Sequence, residues 1–500
     1  MLNSRKSRLV VPLALSVGIV SVFAGGVTPA SAGAGPDWAA PALKLVVASP
    51  SVTLDNYGKY GVSLDLGVYA VAGTSPFEVR VTRKSYAARP RAVQVKQFDG
   101  VPWYRPLPAA VATSFSGMPK FLHVTLTNAK GKTVVVRDTS FCPSDYDTRR
   151  TRPDAPDTSP YPQGCPTNPF TLGAVWGVQA GWSANTFNYI SDFGQSTVTL
   201  PNGKYTAKVS VGKQYQRLFG LTSKSQTVHV TVRKAQFDGA APAASARAAK
   251  SAIAQPNAAR PTGKPSVPKG PKPDLRPIPA FGMQVIHGDT KATKKRNYLE
   301  FSANVWNAGP SPLVVDGFRR GQKGLMDAYE YFYNSKGKQV GYAPTGTMEW
   351  DPRVGHQHWH FTDFASYRLL GSNKKEIVRS QKQAFCLGNT DGIDYTVKNA
   401  NWKPDNTDLH TACGSEGSLS VREELSVGSG DTYDQYLPGQ SFDITSLKDG
   451  TYYVEVIANP DHRLYESSTK NNVSLRKVIL GTKHGKRTVT VPPYQLINAP

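Results

Sequence analysis

The chain has 500 residues, with 59 Lys and Arg against 36 Asp and Glu, which gives a formal net charge of +23. This length exceeds one ordinary hydrophobic core and predicts two or three domains of about 100–200 residues each. Beyond the first 32 residues no stretch approaches the roughly 18 consecutive apolar residues of a membrane helix, so no transmembrane segment is expected after that point.

The first 32 residues have the pattern of a secretory signal peptide. Arg5, Lys6 and Arg8 precede the apolar run LVVPLALSVGIVSVF, and residues 30–32 (ASA) offer a small-residue cleavage site. An uncleaved membrane anchor is the alternative. Cleavage predicts a soluble, secreted or cell-wall-associated protein whose charge is three units lower, +20. Such a surface attracts anionic polymers without selecting one, so anionic cell-wall polymers are possible partners and no specific nucleic acid is expected.

A change in composition divides the rest of the chain. Residues 236–271 are rich in Ala, Pro, Ser and Lys and predict an extended linker between domains at 37–235 and 272–500. On both sides apolar and polar residues alternate, as in TVHVTVR at 227–233 and YLEFSANVWNAG at 298–309. No segment keeps a helical period for three turns. We therefore predict an all-β chain of two antiparallel β-sandwich domains, immunoglobulin-like in type.

The cysteines fit an exported protein. Four are present, and the short gaps favour pairing Cys142 with Cys165 and Cys386 with Cys413. We predict one disulfide in each domain.

The two halves share short matches in the same order. AGTSP at 72–76 matches AGPSP at 308–312, FC at 141–142 matches 385–386, and GQS at 194–196 matches 439–441. LPNGKY at 200–205 then matches LKDGTY at 447–452, where a glycine two residues before a strand tyrosine resembles the tyrosine corner of immunoglobulin-like sandwiches. These matches predict an internal duplication, with an unrelated β-sandwich as the alternative.

Three of the nine histidines, His356, His358 and His360, alternate within GHQHWHF. On an extended strand such residues share one face and lie about 6.7 Å apart, so they can converge on one metal ion. Imidazole suits Cu, Zn, Fe and Ni alike, so the ligands do not identify the metal. A polar strand face without metal is the alternative.

The surrounding motifs resemble the lysyl oxidase family. MEWDPRVGHQHWHFTDFASYRLL is similar to the family's copper-binding stretch, and KQAFCLGN and GDTYDQYLPGQSFDIT are similar to its cofactor segments. ANPDHRLYESSTKNNV is similar to its closing run, and the resemblance covers roughly residues 272–495. The chain is identified as a bacterial, secreted member of that family.

The resemblance implies a copper-dependent amine oxidase. His356, His358 and His360 would bind copper, and Lys382 and Tyr433 would be the catalytic precursors of the lysine tyrosylquinone cofactor. The implied reaction is a protein-lysine 6-oxidase-like oxidative deamination of primary amines, either peptidyl lysine or small amines. Dioxygen is the acceptor, and an aldehyde, ammonia and hydrogen peroxide are the products. A carboxylate is the expected general base.

Asp363 is the first candidate for that base and Asp443 the second, although either can have a structural role. The chain also departs from the animal enzymes, because Asp351 replaces the histidine after their Trp-Glu-Trp and two extra residues precede His356. A non-catalytic secreted copper-binding or cell-surface protein is therefore the alternative function. A wall-binding protein whose histidines are incidental is a third.

The duplication implies that the first domain lacks these groups. Asp138 aligns with Lys382 and Phe187 with Tyr433, while SFSGMPK at 114–120 aligns with the histidine region. We predict a degenerate duplicate without a metal site that serves binding, spacing or packing.

Overall fold

The fold is described from a computed structural model. The described residues are 35–38, 42–187, 197–222, 224–236, 260–321, 324–334, 336–353, 357–380, 384–403, 411–497 and 499. The predicted signal peptide and most of the predicted linker lie outside them.

Strands dominate both halves. The strands of the first half are β1 (Leu43–Val47), β2 (Ser51–Asn56), β3 (Val62–Ser63), β4 (Val68–Ala72), β5 (Phe77–Thr82), β6 (Arg91–Phe98), β7 (Val101–Pro106), β8 (Met118–Asn128), β9 (Thr133–Phe141), β10 (Thr148–Arg150), β11 (Gly173–Val178), β12 (Trp182–Asn185), β13 (Thr197–Val198), β14 (Gly203–Val211) and β15 (Gln226–Lys234). Among the described residues, the short helix α1 (Lys213–Phe219) precedes β15, and 3₁₀ turns cover Gly58–Tyr60 and Ala109–Val111.

The strands of the second half are β16 (Leu275–Pro277), β17 (Phe281–His287), β18 (Asn297–Asn307), β19 (Leu313–Arg319), β20 (Leu325–Tyr333), β21 (Gln339–Asp351), β22 (His358–Thr362), β23 (Ala365–Leu370), β24 (Glu376–Arg379), β25 (Ala384–Phe385), β26 (Asp391–Gly392), β27 (Ser420–Leu425), β28 (Ser429–Tyr433), β29 (Ser441–Asp443), β30 (Gly450–Ala458), β31 (Val473–Lys483) and β32 (Lys486–Thr490). A 3₁₀ turn at Tyr494–Leu496 follows.

The described strands of each half form three sheets. In the first half the strand orders are β1-β4-β12-β10, β11-β5-β6-β7 and β13-β3-β2-β15-β14-β8-β9. In the second they are β16-β18-β28-β26, with β17 and β29 also on β18, then β25-β22-β21-β20-β19-β27 and β24-β23-β30-β31-β32. Among these strands only β2 and β15 pair in parallel. The prediction of an all-β, antiparallel fold is confirmed.

The alternation in β18 predicts one buried face, and Leu299, Phe301, Ala303 and Val305 are indeed buried. The intervening Ser302 and Asn304 are buried as well, which the alternation alone did not predict. Their side chains are satisfied across the sheet, because Ser302 Oγ donates to Gln435 and Asn304 Nδ2 donates to Thr432 Oγ1. Strand β18 is therefore covered on both faces.

The two halves repeat one frame. The order β15-β14-β8-β9 in the first corresponds to β31-β30-β23-β24 in the second. At the start of β14, Tyr205 Oη donates to Pro201 O at 2.7 Å, and at the start of β30, Tyr452 Oη donates to Lys448 O at 2.8 Å. This is the four-residue bond of a tyrosine corner. The matching geometry supports the inference of an internal duplication.

The repeat also aligns the histidine strand with the first half. Met118 pairs with Phe141 as Phe361 pairs with Phe385, so the register aligns Gly117 with His360 and Phe115 with His358. Lys120 and Asp363 then coincide, and both have positive φ, 53° and 63°. In the first half, the positions that align with His360 and His358 are therefore occupied by Gly117 and Phe115, and neither is a histidine.

The predicted disulfides, Cys142–Cys165 and Cys386–Cys413, are confirmed. The described end of the predicted linker lies against the second half, where Arg260 forms an ion pair with Asp327 at 2.7 Å. In the described part of the chain, no helix has the length and hydropathy of a membrane span.

Candidate functional site

The predicted histidine motif ends in β22. His358 and His360 begin and centre this strand, and their rings lie on one face with centroids 4.6 Å apart. Trp359 points to the opposite side, where it is fully buried and Nε1 donates to Ser415 O at 2.9 Å. His356 lies outside the described residues, so two of the three predicted ligands are described. Those two share a face, as an extended strand requires.

A charged pair lies next to His360, which is itself buried. Asp351 Oδ2 lies 3.6 Å from His360 Nδ1. Arg353 Nε donates to both oxygens of the same carboxylate, to Oδ1 at 2.9 Å and to Oδ2 at 3.0 Å. The Arg353 hydrogen bonds outweigh partial burial and hold the pKa of Asp351 well below its usual range. A carboxylate at Nδ1 favours the tautomer that presents Nε2 to a metal. Asp351 thus contacts a predicted ligand.

Tyr433 ends β28 and is almost fully buried. Its ring meets Phe385 edge-on, with centroids 5.0 Å apart, and its Oη donates to Cys386 O at 3.0 Å. Phe385 belongs to β25, which pairs with β22 at Phe361. Burial first, and then the negative charges of Asp431 and Glu423, raise the pKa of Tyr433 well above its ordinary value. Its phenol is therefore neutral at pH 7.

Lys382 lies outside the described residues, but the residues on either side of 381–383 are fixed. Ser380 N donates to Tyr367 O at 3.0 Å, and its Oγ donates to Gly439 O at 2.5 Å. Ala384 pairs with Thr362 of β22. The chain therefore enters this segment beside β23 and leaves it beside the histidine strand.

The two candidate bases differ in position. Asp363 directly follows β22, is about one-third exposed, and lies 3.7 Å from Arg463 Nη1. Asp443 pairs with Tyr298, five residues along β18 from Ala303, the partner of Tyr433, which corresponds to roughly 17 Å. Partial burial raises the pKa of Asp443, but hydrogen bonds from Thr445 and then Arg296 lower it overall. Asp443 therefore stabilises a strand end distant from Tyr433.

Two buried carboxylates near the site were missing from the sequence predictions. Glu423 of β27 is fully buried and accepts hydrogen bonds from the backbone N–H groups of Phe361 and Leu387, both at 3.0 Å. Asp431 lies on β28, two residues before Tyr433, and is also buried. The available signal was acidic residues inside strand-like patterns, EE in SVREEL and D in SGDTY, since buried acids require specific partners.

The matched family agrees with this arrangement. The family model for lysyl oxidase matches residues 321–487. The chain carries a lysyl oxidase domain. The matched range contains the histidine motif, Lys382 and Tyr433, and the resemblance predicted from the sequence is confirmed.

Curated relatives support the same assignment. Human protein-lysine 6-oxidase is 32% identical over 148 residues, which cover 29% of this chain and 32% of the relative. The protein-lysine 6-oxidase of Sus scrofa is 30% identical over 148 residues, 29% of this chain and 53% of that protein. Human lysyl oxidase homolog 4 is 31% identical over 130 residues, 26% of this chain and 15% of that protein. The chain thus spans about half or less of the length of these relatives.

Proposed function

We propose that this chain is a secreted, copper-dependent amine oxidase. It converts a primary amine, either a small amine or the side chain of a peptidyl lysine, into an aldehyde, with dioxygen as the acceptor and ammonia and hydrogen peroxide as products. The observation that best supports this proposal is the contact of Tyr433 with Phe385, whose strand pairs with β22 at Phe361, next to His360. Tyr433 thus packs against Phe385, whose strand pairs with the strand that carries His358 and His360.

The donor set fits copper. In the proposal His356, His358 and His360 hold the ion, and imidazole nitrogen is a ligand that copper prefers. The two described rings share one face of β22 with their centroids 4.6 Å apart, and Asp351 lies against Nδ1 of His360. Copper held there would supply, with dioxygen, the oxidising chemistry needed to make lysine tyrosylquinone from Lys382 and Tyr433, and that quinone would accept the electrons of the amine.

The protein controls the protonation and orientation of Tyr433. Burial and the neighbouring carboxylates keep the phenol neutral, and a nearby dication is the kind of charge that favours its ionised form. The edge-on contact with Phe385 and the hydrogen bond to Cys386 O fix the plane and the oxygen of the ring. A fixed ring favours one site of oxidation and of lysine addition.

Lys382 is close along the chain to Phe385, the residue whose ring contacts Tyr433. It precedes Phe385 by three residues, and three extended residues span at most about 11 Å. The ring of Phe385 contacts that of Tyr433 directly. A long lysine side chain starting within this radius can reach the phenol, which is compatible with the covalent link. Asp363, the residue after β22, remains our candidate for the general base.

A tryptic mass map of the full-length protein tests the proposal. After exposure to copper and oxygen we expect one covalently joined peptide that contains both Lys382 and Tyr433, together with peroxide release from a primary amine. Tyr433→Phe serves as the matched control, because it keeps the ring against Phe385 and removes only the hydroxyl. Unmodified Lys382 and Tyr433 peptides without peroxide release would exclude the oxidase, and copper binding alone would then support the alternative of a non-catalytic copper-binding protein.

A further inference from the structure

One of the contacts between the two halves is made by a segment of the lysyl oxidase domain. Residues 390–402, here called the bridging segment, begin four residues after Cys386 and include β26. On one edge this segment contacts the first half, and on the other edge it pairs with β28, the strand that ends in Tyr433. Both edges bear on the role of the first half.

The first edge pairs with β11 of the first half. Leu172 N donates to Ile393 O at 2.7 Å, and Tyr395 N donates to Gly173 O at 3.0 Å, which forms a short parallel bridge between Gly173 and Asp394. A Cβ on Gly173 would lie 2.0 Å from Asp394 Oδ1, so this close approach requires glycine. The segment thus extends a sheet of the first half.

Side chains bury the same contact. Trp402 stacks on Tyr161 with centroids 6.2 Å apart and planes 11° apart, and Arg80 lies over the Trp402 ring. Ile393 is fully buried in a cluster with Phe170, and Tyr395 is buried with Tyr161. Buried aromatic contacts with paired backbone are typical of permanent interfaces.

The second edge leads to Tyr433. Strand β26 pairs with β28 at Gly430 and Ser429, and Thr432 N donates to Thr390 Oγ1 at 2.6 Å. The carboxylate of Asp391 joins both edges, because its Oδ2 accepts from Thr432 Oγ1 at 2.5 Å and from Asn168 Nδ2 at 3.2 Å. One carboxylate therefore connects the first half to the residue before Tyr433.

We infer that the first half is a positioning domain for Tyr433, which acts through the hydrogen bond between Asn168 of the first half and Asp391 of the lysyl oxidase domain. This inference rests on the proposed function. Strand β28 has β18 as one neighbour and the bridging segment as the other, so the first half supports the second side of the strand. Formation of the quinone depends on the alignment of the tyrosine with its partners, and a misplacement of about 1 Å can cost about a hundredfold in rate.

A negative charge introduced at position 168 of the full-length protein tests the inference. Asn168→Asp retains the side-chain oxygen that accepts from Phe170 N and puts a second carboxylate against Asp391. We expect the quinone absorbance to develop about ten- to a hundredfold more slowly than in the wild type. The double variant Asn168→Asp with Asp391→Asn removes the repulsion between the two carboxylates, and its rate should recover from that of Asn168→Asp toward the wild-type rate.

A second measurement does not depend on the cofactor. In metal-free protein, hydrogen exchange of a peptide that covers 429–433 should be faster in Asn168→Asp and restored in the double variant. Asn202→Asp, on an exposed turn of the first half, introduces the same charge and should change neither measurement. Copper stoichiometry should be equal in all variants.

The outcomes separate the inference from the proposed function. If the wild type forms quinone and Asn168→Asp forms it equally fast with unchanged exchange, the positioning role is wrong and the oxidase stands. If the wild type forms no quinone, the oxidase proposal fails. Unchanged exchange at 429–433 in Asn168→Asp would then also overturn the inference that the first half supports β28.

If Asn168→Asp does not fold, Thr171→Val replaces it, since this change removes only the 3.3 Å hydrogen bond to Gly392 O. Thr171→Val should then accelerate exchange at 429–433, and wild-type exchange in it would overturn the inference.

Discussion

The replacement Glu423→Gln tests whether one buried carboxylate holds the candidate site together. Its two oxygens accept the backbone N–H groups of Phe361, next to His360, and of Leu387, next to Cys386. A glutamine carbonyl can keep one of these bonds, but its amide presents a donor to the second N–H. A hydrogen bond to a charged group contributes about 1.5–3 kcal/mol, and an unsatisfied buried donor adds a penalty, so we expect a loss of about 2–4 kcal/mol.

Denaturant unfolding of the metal-free protein measures this loss as a lower midpoint with an unchanged slope. Glu416→Gln provides the control, because Glu416 is exposed and its replacement should change the free energy of unfolding by less than about 0.5 kcal/mol. Glu423→Gln should also bind copper more weakly, because the backbone N–H of Phe361, next to His360, loses its hydrogen bond to the carboxylate. Equal midpoints for Glu423→Gln and the wild type would refute this account of the carboxylate.

Three further predictions concern single side chains. Tyr433→Phe should abolish the joined peptide and peroxide release while lowering the free energy of unfolding by only about 1 kcal/mol, measured by denaturant unfolding, because the ring contact with Phe385 survives. Asp351→Asn should weaken copper binding about tenfold in a titration, with Asp363→Asn as the control, because Asp351 is the carboxylate at His360 Nδ1. Burial raises the pKa of Glu330 from 4.5 to about 8, so the folded state binds the proton more tightly than the unfolded state and stability should fall as the pH rises between these values. In metal-free protein the slope should approach 1.4 kcal/mol per pH unit, and Glu330→Gln should flatten it.

The sequence predicted the local features of the site and missed those that depend on strand pairing. Alternation placed His358 and His360 on one strand face, because that pattern needs only the two-residue period of a strand. The short gaps between cysteines predicted both disulfides for a similarly local reason. Glu423 was missed because its partners, Phe361 and Leu387, lie 62 and 36 residues away along the chain.

Strand pairing also determines how far Asp443, one of the two candidate bases, lies from Tyr433. Asp443 follows Tyr433 by only ten residues, so the sequence could not separate them. Strand β29 joins β18 at Tyr298 rather than beside Ala303, and this choice of partner moves Asp443 away from Tyr433. The burial of Asn304 on the nominally polar face of β18 has the same origin, since its partner Thr432 comes from β28. Such partners follow from sheet order, which alternation does not specify.

The first half illustrates why a repeated frame does not imply a repeated site. Gly117 aligns with His360 through the pairs Met118–Phe141 and Phe361–Phe385. A Cβ on Gly117 would lie 2.4 Å from Phe141 O, and its φ of 128° is one that residues with side chains rarely adopt. A histidine cannot enter this position without moving the backbone, so the first half differs from the second in strand geometry as well as in ligands. The sheet of the first half that contains β11 instead pairs with the bridging segment at Gly173. This pairing needs the strand arrangement and does not need a metal.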